Sequence, residues 1–355
     1  MQRITRILVA GVLALGFLAS SVPLQAQSES TAPFLLISPG ARAGGMGEVG
    51  VANVDDATAT YWNPAALTKL KRRHFSMMHS NWLPQFNLSD LYYDFAAYTH
   101  HFEDIGTFGL SATYLNLGEQ EITDETGQVT GTFSSNNLAV GGSYGMTLNE
   151  TMALGFTLKY IYMNLAPIGT SAEQGDGQAG TIAADFGYLW TPKAASRMTF
   201  GAALSNMGPK LTFIDSDQAD PLPMNIKFGI TYLLLNGEHN KLSFSNEINK
   251  ELVVRQDNGD SDAFYKAIFN SWIHKNSRSL NRMNFRQGLE YWYNDIFAIR
   301  AGYFHEGERI GGRQFFTFGS GLYFSGWGFD FGIIVADADE SPLANTMRFS
   351  LTGVF

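Results

Sequence analysis

From residue 75 to the C-terminus the chain keeps a period of two. In the last strand-like segment Met347, Phe349, Leu351, Val354 and Phe355 are apolar, Thr346, Arg348, Ser350 and Thr352 stand among them, and Gly353 keeps the beat with no side chain. Residues two apart on a strand share a face, so one face is greasy and the other polar. The same reading fits Met152-Leu154-Phe156-Leu158-Tyr160-Tyr162, Met198-Phe200-Ala202-Leu204, Ile226-Phe228-Ile230-Tyr232-Leu234, Phe316-Phe318 with Leu322-Phe324, and Phe329-Phe331-Ile333-Val335. A soluble sandwich alternates too, and the residues in between decide. They include Lys159, Asp185, Lys227, Glu247, Arg286, Glu290, Arg300, Asp330 and Arg348. With the greasy face toward lipid, these charges line a polar lumen, as outer-membrane barrels require. With the charges toward water, the aromatic face needs a second layer, and no set of amphipathic helices supplies one.

Composition agrees. Charged residues are 16% of the chain, aromatics 14%, and glycines number 37 in 355 residues, whereas about 25% charge is usual in soluble domains. About fourteen segments are predicted as strands, near 75–82, 91–101, 106–118, 134–146, 151–165, 179–191, 197–207, 223–235, 240–251, 284–293, 296–305, 312–324, 327–336 and 345–355. Short turns, such as Glu103-Asp104, Asn294-Asp295 and Ser325-Gly326, alternate with longer connections at 119–133, 166–178, 208–222, 252–283, 306–311 and 337–344. Short periplasmic turns and long outer loops are the outer-membrane arrangement. An even count returns both chain ends to the periplasm. A closed barrel is also the one kind of sheet that hides its backbone polar groups in lipid. The fold expected is all-β, a 14-stranded antiparallel transmembrane β-barrel.

Residues 1–26 read as a signal peptide. Arg3 and Arg6 precede an apolar run from Ile7 to Ala19, too short to span a membrane, and Leu24-Gln25-Ala26 offers a small residue at the cut. Residues 27–74 form a Gly-rich plug or periplasmic segment, and residues 75–355 the barrel. The net charge of −9 gives nucleic-acid binding no electrostatic support. With no cysteine in the chain, disulfides, thiolate metal sites and a cysteine nucleophile are excluded.

Residues 34–67, FLLISPGARAGGMGEVGVANVDDATATYWNPAAL, contain Gly45, Gly47 and Gly50 in G-x-G-x-x-G spacing. No strand enters this motif as a dinucleotide-binding βαβ unit requires, so the glycines are read as letting the backbone turn in a crowded place. Asn63 and Pro64 look like a helix cap and first position. This stretch resembles the PorV branch (also called LptO) of the FadL-like outer-membrane barrels. The resemblance continues through Glu290-Tyr291-Trp292-Tyr293-Asn294, FAIRAGYFHE at 297–306, Gly312 to Thr317, Ser341 to Thr346 and RFSL at 348–351. Ala65-Ala66-Leu67 departs from that branch toward the wider family. The resemblance implies a type IX secretion component of Bacteroidetes-type Gram-negative outer membranes. Such a protein acts as a shuttle. It takes folded cargo, by its C-terminal signal domain, from a large translocon barrel of the SprA/Sov kind to a PorU-like surface sortase. The resemblance also implies a link to lipid A deacylation. Outer-membrane lipid would surround it.

Catalytic chemistry finds little support in the residues. The histidines, 74, 79, 100, 101, 239, 274 and 305, have no serine motif beside them. His100 and His101 are neighbours on a strand and point to opposite faces, so they do not chelate together. Asp257, Asp260 and Asp262 lie in an outer loop but lack the glutamate of a calcium hand and read as a solvated acidic loop. No catalytic residue, cofactor or metal is assigned. Residues 263–275 break the strand period: Phe264, Ala267, Ile268, Ser271 and Trp272 fall at helical spacing, with Asp262 as a possible cap. This helix either packs on the barrel rim or docks a partner through Phe264, Ile268 and Trp272. One rival function is a FadL-like transporter of hydrophobic small molecules, which calls for an apolar pocket in the lumen near the N-terminal segment, where the inward residues read as charged; a second is a lipid A-modifying enzyme, for which the sequence nominates no serine or histidine.

Overall fold

The computed structural model describes residues 30–86, 88, 90–123, 126–165, 177–213, 219–256, 259–274, 282–338 and 341–355. The signal segment, most of loop 166–178, and Asp257 lie outside these. Fourteen strands follow in order: β1 His74–Asn81, β2 Leu91–Phe102, β3 Gly106–Thr123, β4 Val129–Asn149, β5 Met152–Asn164, β6 Gln178–Trp190, β7 Met198–Met207, β8 Asn225–Asn236, β9 Asn240–Glu251, β10 Met283–Tyr293, β11 Phe297–Glu306, β12 Gln314–Phe324, β13 Trp327–Val335 and β14 Met347–Val354. Each pairs antiparallel with its chain neighbours, and β14 pairs with β1 to close the barrel. The greasy positions face outward and are exposed, among them Leu154, Phe156, Leu158, Phe316, Phe318 and Phe349. The charges predicted for the lumen are buried inside. Among the described residues no helix is long and apolar enough to cross a membrane.

The β3–β4 hairpin departs from expectation. Residues 119–133, predicted as a long loop, are mostly strand, paired from Glu119 with Ser134 to Thr123 with Val129 past an irregularity after Asn116. These residues stand above the bilayer with both faces mostly in water, so no apolar alternation marks them. β3 and β4 reach 18 and 21 residues, while β7 has only 10, so the barrel wall is tall on one side and low on the other.

Residues before β1 run inside the barrel. Two short helices, α1 (Ala41–Gly44) and α2 (Ala59–Trp62), and a 3-10 turn at Pro64–Lys69 fill the lumen. The terminal strands begin and end at the short-turn, periplasmic mouth, where Arg73 and Phe355 exchange backbone hydrogen bonds of 3.3 and 3.0 Å. The first described residue does not lie there. Ser30 donates to Glu251 at the outer end of β9 at 2.6 Å, and the Thr31 amide donates to Pro221 O. Between Ser30 and Arg73 the plug thus runs the height of the lumen, from the outer end of β9 to the mouth where β1 begins. At the seam, the Gly40 amide lies 2.9 Å from Met78 Sδ on β1, and the Ala41 amide donates to Ser350 Oγ on β14 at 2.8 Å.

Candidate functional site

The plugged lumen is built by close approach. Glycines occupy inward positions in register on successive strands: Gly145 opposite Gly155 and Gly155 opposite Gly187, then Gly201 opposite Gly229, Gly288 opposite Gly302, and Gly319 opposite Gly332. A Cβ on Gly302 would stand 2.0 Å from Gly47 N, one on Gly155 2.1 Å from Pro64 C, and one on Gly201 2.3 Å from Val51 O. No side chain fits there, so the wall is bare where the plug touches it. The plug answers with its own glycines. Gly47 has φ +67° and lies against the backbone of Gln287 and Tyr303, and Gly50 presses on the Trp62 ring. The G-x-G-x-x-G spacing therefore serves packing, as the sequence suggested. Asn63 caps the 3-10 turn by accepting from the Ala65 amide at 3.1 Å, and its amide group donates to Val51 O and Tyr188 O. The cap was read correctly, with a 3-10 turn in place of an α-helix.

Charge keys the plug to the arc from β8 to β14. Arg42 makes two 2.8 Å hydrogen bonds to the Glu290 carboxylate and also pairs with Asp55. Arg300 joins Glu290 to Asp330 at 2.8 and 2.7 Å. Glu48 accepts from Arg348 and from Ser38 Oγ, while Arg286 donates to the Glu48 carbonyl at 2.9 Å. Glu247 accepts the amides of Gly50 and Val51, each at 3.0 Å. Lys227 stands over the rings of Tyr61 and Trp62 at 4.8 and 5.0 Å. Burial pushes the Glu48 carboxyl upward, but the Arg348 and Arg286 guanidiniums outweigh it and hold it below the usual range. Burial also pulls Lys69 down, and its ammonium donates to Ala52 O and Val54 O.

The opposite arc differs from the sequence reading. Phe34, Leu35 and Ile37 of the plug pack with Tyr93 and Phe95 of β2, Leu115 of β3, Ile161 and Met163 of β5, and Leu211 and Leu222. So the lumen has an apolar side, and the plug's own side chains fill it. At the periplasmic mouth a cavity of about 430 Å³ is lined by both signs of charge, including Arg42, Asp55, Lys69, Lys241, Glu290 and Asp295. Among the described residues no three His, Asp or Glu converge as a metal site requires.

The helix predicted in the longest outer loop forms as α3, Phe264–Asn270. Phe264 and Ile268 are half-buried against Met224, Leu252 and Ala267, while Trp272 remains exposed. Asp262 does not cap it. Ala263 holds the cap position, and the Asp262 carboxylate accepts from Gln256 and Asn270 side chains. Helical spacing in the sequence thus marks the packed face. The exposed Tyr265, Phe269 and Ile273 went unmarked.

A closed antiparallel barrel with a greasy exterior and an N-terminal plug defines a FadL-like outer-membrane β-barrel. Solved structures share the fold at low identity. The Ralstonia pickettii toluene transporter TbuX has a TM-score of 0.54 at 15% identity, over 90% of this chain and 98% of that one. The P. putida toluene transporter TodX has a TM-score of 0.53 at 13%, over 90% and 99%. A Pseudomonas aeruginosa FadL homologue has 0.50 at 12%, over 89% and 97%. No curated protein matches the sequence. Residues 24–258 match the family model described as type IX secretion system protein PorV. That span is well over half of the chain, and the chain belongs to this family.

Proposed function

We propose that the protein is the outer-membrane shuttle of type IX secretion. It binds the C-terminal signal domain of cargo at the large translocon barrel and delivers the cargo to a PorU-like sortase, without catalysing a reaction itself. It reaches the outer membrane after removal of the signal segment 1–26. The observation that carries this reading is the filled lumen in a chain of this family. The apolar arc where a hydrophobic solute would rest holds Phe34, Leu35 and Ile37 instead. Work then falls to the outer rim and the outer wall, where protein partners are met. Affinity isolation from gently solubilised outer membranes, followed by mass spectrometry, tests it. The expected companions are a very large barrel, a sortase-like surface protein, or proteins sharing a C-terminal signal domain. Recovery of the barrel alone with a stoichiometric lipid or fatty acid overturns it.

That outcome favours the second reading, a transporter of hydrophobic small molecules. Its support is the fold shared with TbuX and TodX and the existence of an apolar arc in the lumen. The mixed charges around the mouth cavity speak against an apolar solute resting there.

A further inference from the structure

The place of α3 carries a conclusion beyond the shuttle reading and independent of it. On β7, Ala203 packs against Val51 and Ala52 of the plug, so its neighbour Leu204 faces outward. On β8, Lys227 stands over plug rings, so Ile226 faces outward; on β9, Glu247 takes plug amides, so Lys250 has outward parity. Leu204 is opposite Ile226 and Ile226 opposite Lys250, one row across the outside of the wall. The buried side of α3 rests on this row: Phe264 and Ile268 join Leu204 and Ile226 in one cluster. The Lys250 ammonium lies 5.3 Å from the Trp272 ring centre. The helix therefore lies outside the barrel, against its wall.

Depth follows from strand length. A tilted strand needs about 9–11 residues to cross the hydrocarbon, and β7, β8 and β9 have 10, 12 and 12. Their outer ends lie at the outer hydrocarbon boundary, and Ile226 is the second residue of β8. The row beneath, Ala202 opposite Phe228 opposite Ile248, belongs to the exposed lipid belt. Facing away from the wall, Tyr265, Phe269 and Ile273 are 58, 70 and 74% exposed, while Trp272, 46% exposed, lies over Lys250 at the wall. The three recur at i, i+4 and i+8, one stripe continuous with that belt. So much apolar surface on so short a stretch needs a cover. An aromatic-rich amphipathic helix at the leaflet boundary, with a lysine beneath its Trp, has the composition of an interfacial anchor.

We propose that α3 and the turn after it anchor the longest outer loop, 252–282, in the outer leaflet, with Tyr265, Phe269 and Ile273 among lipid chains beside the wall. The cover is lipid and not protein, because the stripe continues the barrel's own lipid-facing surface. Residues 263–273 then lie along the membrane instead of reaching into the medium.

The chain has no cysteine, so single nitroxide labels report cleanly. Full-length protein carrying Phe269→Cys, or separately Ile273→Cys, is reconstituted in phosphatidylethanolamine–phosphatidylglycerol vesicles. Its collision with oxygen and with a water-soluble nickel complex is read by power saturation. Phe228→Cys marks the lipid belt and Val129→Cys the water-exposed hairpin tip. The expected oxygen-to-nickel ratio at both helix positions matches that of Phe228→Cys. A ratio matching Val129→Cys overturns the proposal. So does a label that is open to nickel in vesicles of pure protein and shielded only when a protein partner is added. Two labelled positions guard against one substitution disturbing the helix.

Discussion

At the scale of single residues, the plug is held by a few charges that have no water to fall back on. Arg348→Met strands the Glu48 carboxylate, and breaking a buried pair in this way costs on the order of 3–5 kcal/mol. The expected result is a lowered thermal midpoint in detergent, partly restored by adding Glu48→Gln, which removes the stranded charge. The Glu48 carboxyl is held below its ordinary value of 4.5 in the folded chain. Its contribution is therefore full above that value and is lost as pH falls through the lower folded value. Thermal midpoints measured against pH should drop at the acid end for the natural chain, and Glu48→Gln should flatten that part of the drop. Equal acid sensitivity in both would place the loss elsewhere. The Glu290 cluster is wired differently: one carboxylate serves Arg42 from the plug and Arg300 from the wall, so plug and wall share a single anion.

At the scale of elements, the fit between wall and plug is reciprocal bareness. Gly302→Val puts a branched side chain where Gly47 N would be 2.0 Å from the new Cβ. The barrel's outward pattern and pairing are untouched by it. Limited proteolysis should then cut within residues 30–70 of the variant while the 75–355 barrel survives, and the natural chain should resist at both. Strands were legible in the sequence because lipid and lumen impose opposite demands on alternate residues. Twelve predicted segments needed only small changes of boundary, and the two strands of the β3–β4 hairpin were cut short because water on both faces imposes no alternation on Glu119–Thr123. Inward charges such as Asp330 and Arg300 were legible for the same reason. The apolar arc was not: Tyr93, Phe95 and Ile161 each have an apolar neighbour along their own strand, Tyr92, Ala96 and Tyr160, so the period of two does not say which of them faces inward. The glycine belt was also hidden. A glycine fits either face of an alternating strand, and its partner in the plug lies far off in sequence, 91 residues for Gly155 and Pro64 and 255 for Gly302 and Gly47.

At the scale of the whole molecule, the plug decides whether the barrel is a conduit. With residues 30–70 seated, the apolar arc is filled and the charged arc is neutralised. In planar bilayers the full chain is expected to give no steady conductance, and deletion of residues 34–67 is expected to open a lasting one. Steady current through the full chain would mean that the plug leaves a continuous path. The closing pair of strands carries a further consequence. In any closed sheet the junction of first and last strands is the one place where chain continuity does not help hold neighbours together. Here Met78 and Ser350 face each other across that junction, and consecutive plug amides, Gly40 and Ala41, bind one each. The plug thus works as a staple driven from within. Unzipping β1 from β14 at Met78 and Ser350 would break both of these plug contacts as well as the strand pairing.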